Sequence, residues 1–343
     1  MAAGRAAPPG GSAAAAAVGR AAGLTGVELF VDNEIFAAVP AWWAAGAGAR
    51  ADGIPLRGPC GRLDHPAVRP GGRNERKISV NIDLSDKTAI VTGSTGGIGL
   101  AIAEGLARAG ARVVIVGRSR DTVDAAVAKL KAAAQRGDPR GVVADVGTAA
   151  GCEALVAAAP DADILVNNLG IYGEKEFFAI DDANWEEIFQ VNVMSGVRLS
   201  RHYAPGMRKR GWGRIQFISS ESALNIPVEM VHYGASKAAM QAIARGLAKA
   251  LAGSGVTVNS ILPGPTRSEG AVEMMRRLAA ERGVDVREME AIFLRENRPS
   301  NVLGRFAEPE EVAAMSVYIA SPQASATTGA ALRVDGGTVE SIA

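Results

Sequence analysis

The chain has 343 residues, with 37 basic against 36 acidic side chains, 48% hydrophobic residues and 5% aromatic ones. A net charge near zero gives no electrostatic reason to bind nucleic acid or an anionic membrane, and the apolar content excludes wholesale disorder. No apolar run reaches the roughly 18 residues of a membrane span, two cysteines (Cys60 and Cys152) cannot build a disulfide framework, and the scattered His65, His202 and His232 give no metal-ligand spacing. The expectation is a cytoplasmic globular protein acting on a small molecule.

Residues 1–79 stand apart from the rest. Ala, Gly, Pro and Arg supply 48 of these 79 positions, with a low-complexity run at 13–17. Such a composition buries little. The piece 27–39 has the apolar residues for a helical turn or two that docks on the body. The segment reads as an N-terminal extension, largely unstructured or the product of an over-extended gene model. GC-rich DNA yields those four residues in any frame, and a GTG codon at Val80 can start bacterial translation. The folded domain is expected over 80–343.

From Asp83 the pattern changes to strand-length apolar runs alternating with helical patterns. Residues 87–92, 111–116, 141–144, 163–166, 214–218, 256–262 and 330–334 read as strands. They are continuously apolar, as parallel strands buried on both faces require. Helical patterns lie between them, for example at 97–109 and 122–135. Glu308-Pro309-Glu310-Glu311 has the proline and acids of a first helical turn. The fold class expected is α/β, one doubly wound parallel sheet of about seven strands with helices on both faces.

The first strand runs into Gly93-Ser94-Thr95-Gly96-Gly97-Ile98-Gly99 and then a helix. Glycines let backbone approach a pyrophosphate, and the helix N-terminus holds its charge. The spacing fits both GxxxGxG and GxxGxxG. After the second strand comes Gly117-Arg118, with no acid to accept from an adenosine ribose 2′-hydroxyl. Arg118 offers a fork of donors to a 2′-phosphate instead, so NADP(H) is favoured over NAD(H).

Tyr233 and Lys237 are four residues apart on a helical pattern, so they share a face. A tyrosine hydroxyl titrates near pH 10, too high for proton transfer at neutrality. A neighbouring ammonium lowers that value; reaching about 7 needs roughly 4 kcal/mol. Ser220, at the end of the fifth strand, can hydrogen-bond a substrate oxygen that is gaining charge. Asn192 is a polar residue between apolar neighbours. It is either a satisfied buried amide or the holder of a water that links Lys237 to solvent.

With these residues in view, the chain resembles the short-chain dehydrogenase/reductase family, in its shorter oxidoreductase branch, over about residues 83–340. The motifs that carry the resemblance are Thr92-Gly93-xxx-Gly97-Ile98-Gly99, Asp145-Val146, Asn167-Asn168-Leu169-Gly170, Asn192, Ser220, Tyr233-xxx-Lys237 and Pro263-Gly264. The resemblance favours GxxxGxG over the epimerase branch's GxxGxxG, and the short C-terminus agrees. It implies that Gly93, Ser94, Gly97, Ile98 and Gly99 hold the cofactor phosphates. It also implies that Asp145 contacts adenine and Val146 lines the adenine pocket. Asn168 would support the sheet and the adenosine ribose, Lys237 would bind the nicotinamide ribose, and Thr266 and Ser268 would grip the carboxamide and phosphates. Tyr233 is then the general acid/base, with Ser220, Lys237 and Asn192 beside it. Leu169 replaces the family's usual alanine and is expected to alter the wall near the nicotinamide.

Residues 268–300 match the segment that covers substrate in this family. Met274, Met275, Met289, Ile292, Phe293 and Leu294 there suit an apolar or adaptable pocket. Glu221, Ser222, Ile226, Met230 and His232 flank the catalytic loop, with His232 expected to point away. The function expected is interconversion of a carbonyl and a secondary alcohol by hydride transfer. The alternative is a catalytically silent dinucleotide-binding protein used for regulation or assembly. The resemblance further implies a homotetramer packed through helices near 183–210 and 231–252.

Overall fold

The computed structural model describes residues 81–133 and 138–342. The extension at 1–79, its apolar piece at 27–39 and the end of the helix expected at 122–135 lie outside the described residues.

Seven strands form one parallel sheet: β1 (Thr88–Thr92), β2 (Arg112–Gly117), β3 (Arg140–Val143), β4 (Ile164–Asn167), β5 (Gly213–Ile218), β6 (Val256–Pro263) and β7 (Ala331–Val334). Their order is β3-β2-β1-β4-β5-β6-β7, with every pairing parallel. The continuous apolar runs have the cause inferred from sequence. In β1, Ala89 and Val91 join one apolar cluster while Ile90 joins the other, and β2 repeats the alternation with Val113 and Ile115 against Val114 and Val116.

The first cluster lies under α1 (Gly97–Arg108), α2 (Arg120–Ala133) and α9 (Pro309–Ala320), through Ile102, Leu106, Leu130 and Val312. The second lies under α3 (Ala149–Ala158), α5 (Ser195–Arg210) and α6 (Val231–Ala250), through Leu155, Leu199, Tyr203 and Met240. Between α4 (Asp182–Phe189) and α5 the chain makes one π turn, Gln190–Met194, which carries Asn192. Glu308 and Glu311 form the capping box of α9, with Pro309 in its first turn.

A third, smaller apolar cluster belongs to α7 (Glu269–Arg282) and α8 (Val286–Asn297). It contains Met275, Ala279, Met289, Leu294 and Phe306. Each helix has an N-cap: Ser268 Oγ accepts from Ala271 N, and Asp285 Oδ1 accepts from Arg287 N and Glu288 N.

Strand order reverses between β1 and β4. In open parallel sheets a crevice opens there, beyond the carboxyl ends of the strands.

Candidate active site

A cavity of about 790 Å³ occupies that end of the sheet. Its lining comes from the segments after β1 (Ile98), β4 (Asn168, Gly170), β5 (Ser219 to Ser222) and β6 (Pro263 to Thr266), with Tyr233 and Lys237 from α6, Gly270 and Met274 from α7 and Phe293 from α8. Residues far apart in sequence meet because parallel strands all end on the same side.

The glycine turn resolves its own ambiguity. Gly93 and Gly97 have φ of 60° and 53°, values that side-chain-bearing residues rarely adopt, and a Cβ on Gly99 would lie 2.4 Å from the Gly93 carbonyl oxygen. The motif is GxxxGxG. Asn168 Nδ2 donates to the carbonyls of Thr92 and Gly93 at 2.9 and 3.1 Å and so ties β4 to this turn. Ser94 faces the sheet: its hydroxyl donates to Val91 O, accepts from Val116 N, and is fully buried. The Ser94 hydroxyl is thereby committed to backbone groups of β1 and β2.

Gly117 has no room for a side chain, since a Cβ there would meet Thr95 Cγ2 at 2.4 Å. Arg118 beside it is exposed and has no ion-pair or hydrogen-bond partner among the described residues. Asp145 is exposed after β3 and accepts from Gly147 N, while Val146 is buried. Thr266 lines the cavity with its hydroxyl turned onto Gly264 O at 2.9 Å.

Lys237 is 4% exposed, and its Nζ donates to Ile218 O at 2.8 Å. Burial lowers its pKa to about 8. Nζ lies 5.6 Å from the Tyr233 ring centre. The sequence reading expected the ammonium to lower the tyrosine's pKa. Here burial dominates and pushes the Tyr233 hydroxyl up; the neighbouring Ser220 opposes that, Glu221 adds to it and Arg298 opposes it. Tyr172 packs edge-on against Tyr233, with ring centres 6.2 Å apart.

Asn192 is a satisfied buried amide, 1% exposed. Its Oδ1 accepts from Ile171 N at 2.7 Å, and Nδ2 donates to Ile171 O and Ser236 Oγ. The π turn thereby fixes the Gly170–Ile171 loop. A Cβ on Gly170 would come within 3.4 Å of both Lys237 Nζ and Asn192 Oδ1, so these two polar groups flank one point.

Ser220 caps a short 3-10 turn, Glu221–Ala223, by accepting from Ser222 N at 3.1 Å. Its Oγ donates to Glu221 Oε2 at 2.6 Å. The other oxygen of Glu221 accepts from Arg298 Nε at 2.9 Å, in an ion pair whose side chains are nearly buried. Sequence reading set Glu221 near the site but missed Arg298. It is 77 residues away, and no spacing connects the two. A second missed residue is Glu269, at the start of α7. Its carboxylate lies against Gly96, the N-cap of α1.

Other side chains named from the sequence take these places. Leu169 is half-buried: it packs on the second apolar cluster, and its Cδ1 comes within 3.4 Å of where a Cβ on Gly93 would be, beside the glycine turn. Of the apolar residues of α7 and α8, Met274 and Phe293 line the cavity, whereas Met275, Met289 and Leu294 make the core of this helical pair. His232 is buried outside the cavity lining and packs edge-on against Trp185; burial, with Lys175 nearby, lowers its pKa. No helix among the described residues is long and apolar enough to cross a membrane, and no cluster among them is placed to hold a metal.

Residues 87–279 match the family model described as short chain dehydrogenase. The uncharacterized oxidoreductase YvaG of Bacillus subtilis (strain 168) is 44% identical over 263 residues, covering 77% of this chain and all of that one. Galactitol 2-dehydrogenase (L-tagatose-forming) of Cereibacter sphaeroides is 37% identical, covering 74% of this chain and 95% of that one. Among solved structures, L-sorbose reductase from Gluconobacter frateurii, complexed with NADPH and L-sorbose, aligns with a TM-score of 0.72 at 33% identity, covering 76% of this chain and all of that one. The chain therefore belongs to the short-chain dehydrogenase/reductase family of oxidoreductases.

Proposed function

We propose that the protein is an NADP(H)-preferring oxidoreductase that interconverts a carbonyl and a secondary alcohol. The observation that carries this reading is the meeting of Tyr233, Ser220 and Lys237 in one cavity beside the glycine turn. The residues present fit a dinucleotide: Gly93 and Gly97 shape a cradle at the N-terminus of α1, and Arg118 has a free guanidinium next to a position without a side chain. Gly93, Gly97, Ile98, Gly99, Asn168 and Thr266 would hold the group, with Asp145 and Val146 at its adenine end. When bound, it supplies the hydride. Similar proteins solved with NADPH, such as L-sorbose reductase and the actinorhodin polyketide ketoreductase variant, support this choice of cofactor.

Tyr233 gives the proton to the carbonyl oxygen in reduction and takes it back in oxidation. Ser220 turns its hydroxyl to the same oxygen as charge builds there. Lys237, charged below about pH 8, holds the nicotinamide ribose and favours the tyrosinate. Asn192, whose Oδ1 flanks the same point beside Gly170 as Lys237 Nζ, would hold a water that links Lys237 to solvent. Residues 268–300 act as the substrate lid, resting on the glycine turn through Glu269. The enzyme is a cytoplasmic homotetramer in this reading. The helices that would form its interface in this reading are α5 and α6.

A panel of ketones and secondary alcohols, run with NADPH, NADH and their oxidised forms and followed by cofactor absorbance, tests the reading. Turnover with NADPH favoured is expected. Tight cofactor binding without turnover on any member of the panel would instead identify a silent binding protein.

A further inference from the structure

Ser220 has one proton to give. In this structure it gives that proton to Glu221, at 2.6 Å, while Ser222 N pins the oxygen from behind at 3.1 Å. A carboxylate can only accept, and Glu221 is 4% exposed, so little solvent weakens its pull. A substrate oxygen that needs the Ser220 proton must therefore compete with a buried carboxylate one residue away.

The lid supplies the counterweight. Arg298 is the C-cap of α8, and its Nη1 donates to Asn297 O at 2.7 Å, which orients the guanidinium from the lid's own backbone. Its Nε reaches the far oxygen of Glu221 at 2.9 Å, and the side chains of the pair are 10% and 5% exposed. Both residues line the cavity. We propose that Arg298 and Glu221 are a positioning pair for Ser220. The lid's guanidinium offsets the carboxylate, so that the serine proton can swing to the substrate oxygen. With the lid seated, as here, the Ser220–Glu221 hydrogen bond persists but is weakened by the guanidinium, so a substrate oxygen can displace it. With the lid lifted, Glu221 keeps the proton. Turnover is thereby tied to lid closure through a single hydrogen bond, with no movement of the serine oxygen.

This inference rests on the oxidoreductase reading. The rival account is a latch that merely holds the lid in place. Removing one member of a buried ion pair leaves an uncompensated charge, so both accounts expect a cost from a single substitution. They part in the double variant and in which kinetic constant moves.

The test compares the wild type, Arg298→Met and Glu221→Gln/Arg298→Met. It uses kcat and KM for a ketone that the wild type reduces, melting temperature, and NADPH titration. The expected result is a fall in kcat of about tenfold or more for Arg298→Met, with KM within about threefold. Adding Glu221→Gln should return kcat to within about threefold of wild type, because the competing charge is gone. A double variant as slow as the single one at equal melting temperature overturns the proposal, as does a loss carried by KM alone. Should Arg298→Met fail to fold, Arg298→Gln keeps a donor without the charge. It is expected to show the same fall and the same recovery, and their absence overturns the proposal equally. A wild type that binds NADPH but turns over no carbonyl would sink the oxidoreductase reading itself, a result distinct from an active wild type whose double variant is not rescued.

Discussion

On the sheet side of the cavity, Lys237, Asn192 and Ser219 are each held by backbone groups of the loop after β4, of β5 or of α6: Lys237 Nζ on Ile218 O, Asn192 on both backbone groups of Ile171, Ser219 Oγ on Lys237 O. On the lid side, α7 and α8 stand on four buried residues of their own, packed with Phe306, and on ion pairs. Arg267 bridges Glu290 and Glu308, Arg282 pairs with Glu296, and Arg298 pairs with Glu221. The first wall is built from main-chain hydrogen bonds inside a large core. The second is a small helical hairpin attached by side chains. Groups that move protons need fixed positions, while a cover needs a shallow energy minimum so that it can open.

Substitutions can break that division of labour. The largest effect is expected on the sheet side. Tyr233→Phe should lower kcat by on the order of 10³-fold or more while NADPH still binds, because the proton donor is lost and the glycine turn is untouched. Steady-state kinetics with a parallel cofactor titration checks it. Next comes the far end of the same wall. Arg118→Ala should reduce the ratio of kcat/KM for NADPH over NADH by about 10- to 100-fold, since the phosphate that the guanidinium pairs with is missing from NADH. Comparing the two cofactors on wild type and variant decides it.

Two core truncations contrast the walls directly. Leu106→Ala, in the sheet core, and Met289→Ala, in the lid core, each remove a fully packed side chain worth about 2–5 kcal/mol. The first should lower the main melting transition by roughly 5–15 °C and leave KM near wild type. The second should move that transition less and raise KM for the carbonyl about fivefold. Equal melting shifts with equal KM values would show that the lid is part of one cooperative unit.

The smallest effect is in pH dependence. Lys237 loses its proton at about 8, so carbonyl reduction should decline as pH rises through that value. The folded pKa lies below the unfolded value near 10.4, so the unfolded chain keeps more protons between the two. This group therefore makes the fold more stable as pH rises through that window. Falling activity with rising melting temperature separates loss of the lysine charge from unfolding. A parallel fall of both would contradict the assignment.

Much of this was readable from the chain. The strands lie within about a residue of the apolar runs, because burial on both faces leaves an unbroken apolar signature. The motif residues Tyr233, Lys237, Ser220 and Asn168 converge because each follows or faces the carboxyl end of a strand, an arrangement the βα alternation already implies. What was not readable depends on tertiary direction. Leu169 lies between the second apolar cluster and the glycine turn, touching both. Met275 and Met289 pack on each other's helices, although a pattern of methionines alone cannot show which face they take. The π turn at Asn192 shifts the helical register by one residue, and no residue type encodes that. The Glu221–Arg298 pair joins segments with no local relation.

The most direct test of the central claim follows the hydride. The enzyme is incubated with a ketone from the panel and, separately, each of the two C4-deuterated forms of NADPH, and the product alcohol is analysed by mass spectrometry. One form should place a single deuterium on the carbinol carbon and the other none, and the labelled product should form on the order of 10³-fold more slowly in Tyr233→Phe. Bound NADPH with no labelled alcohol from any ketone would contradict the account.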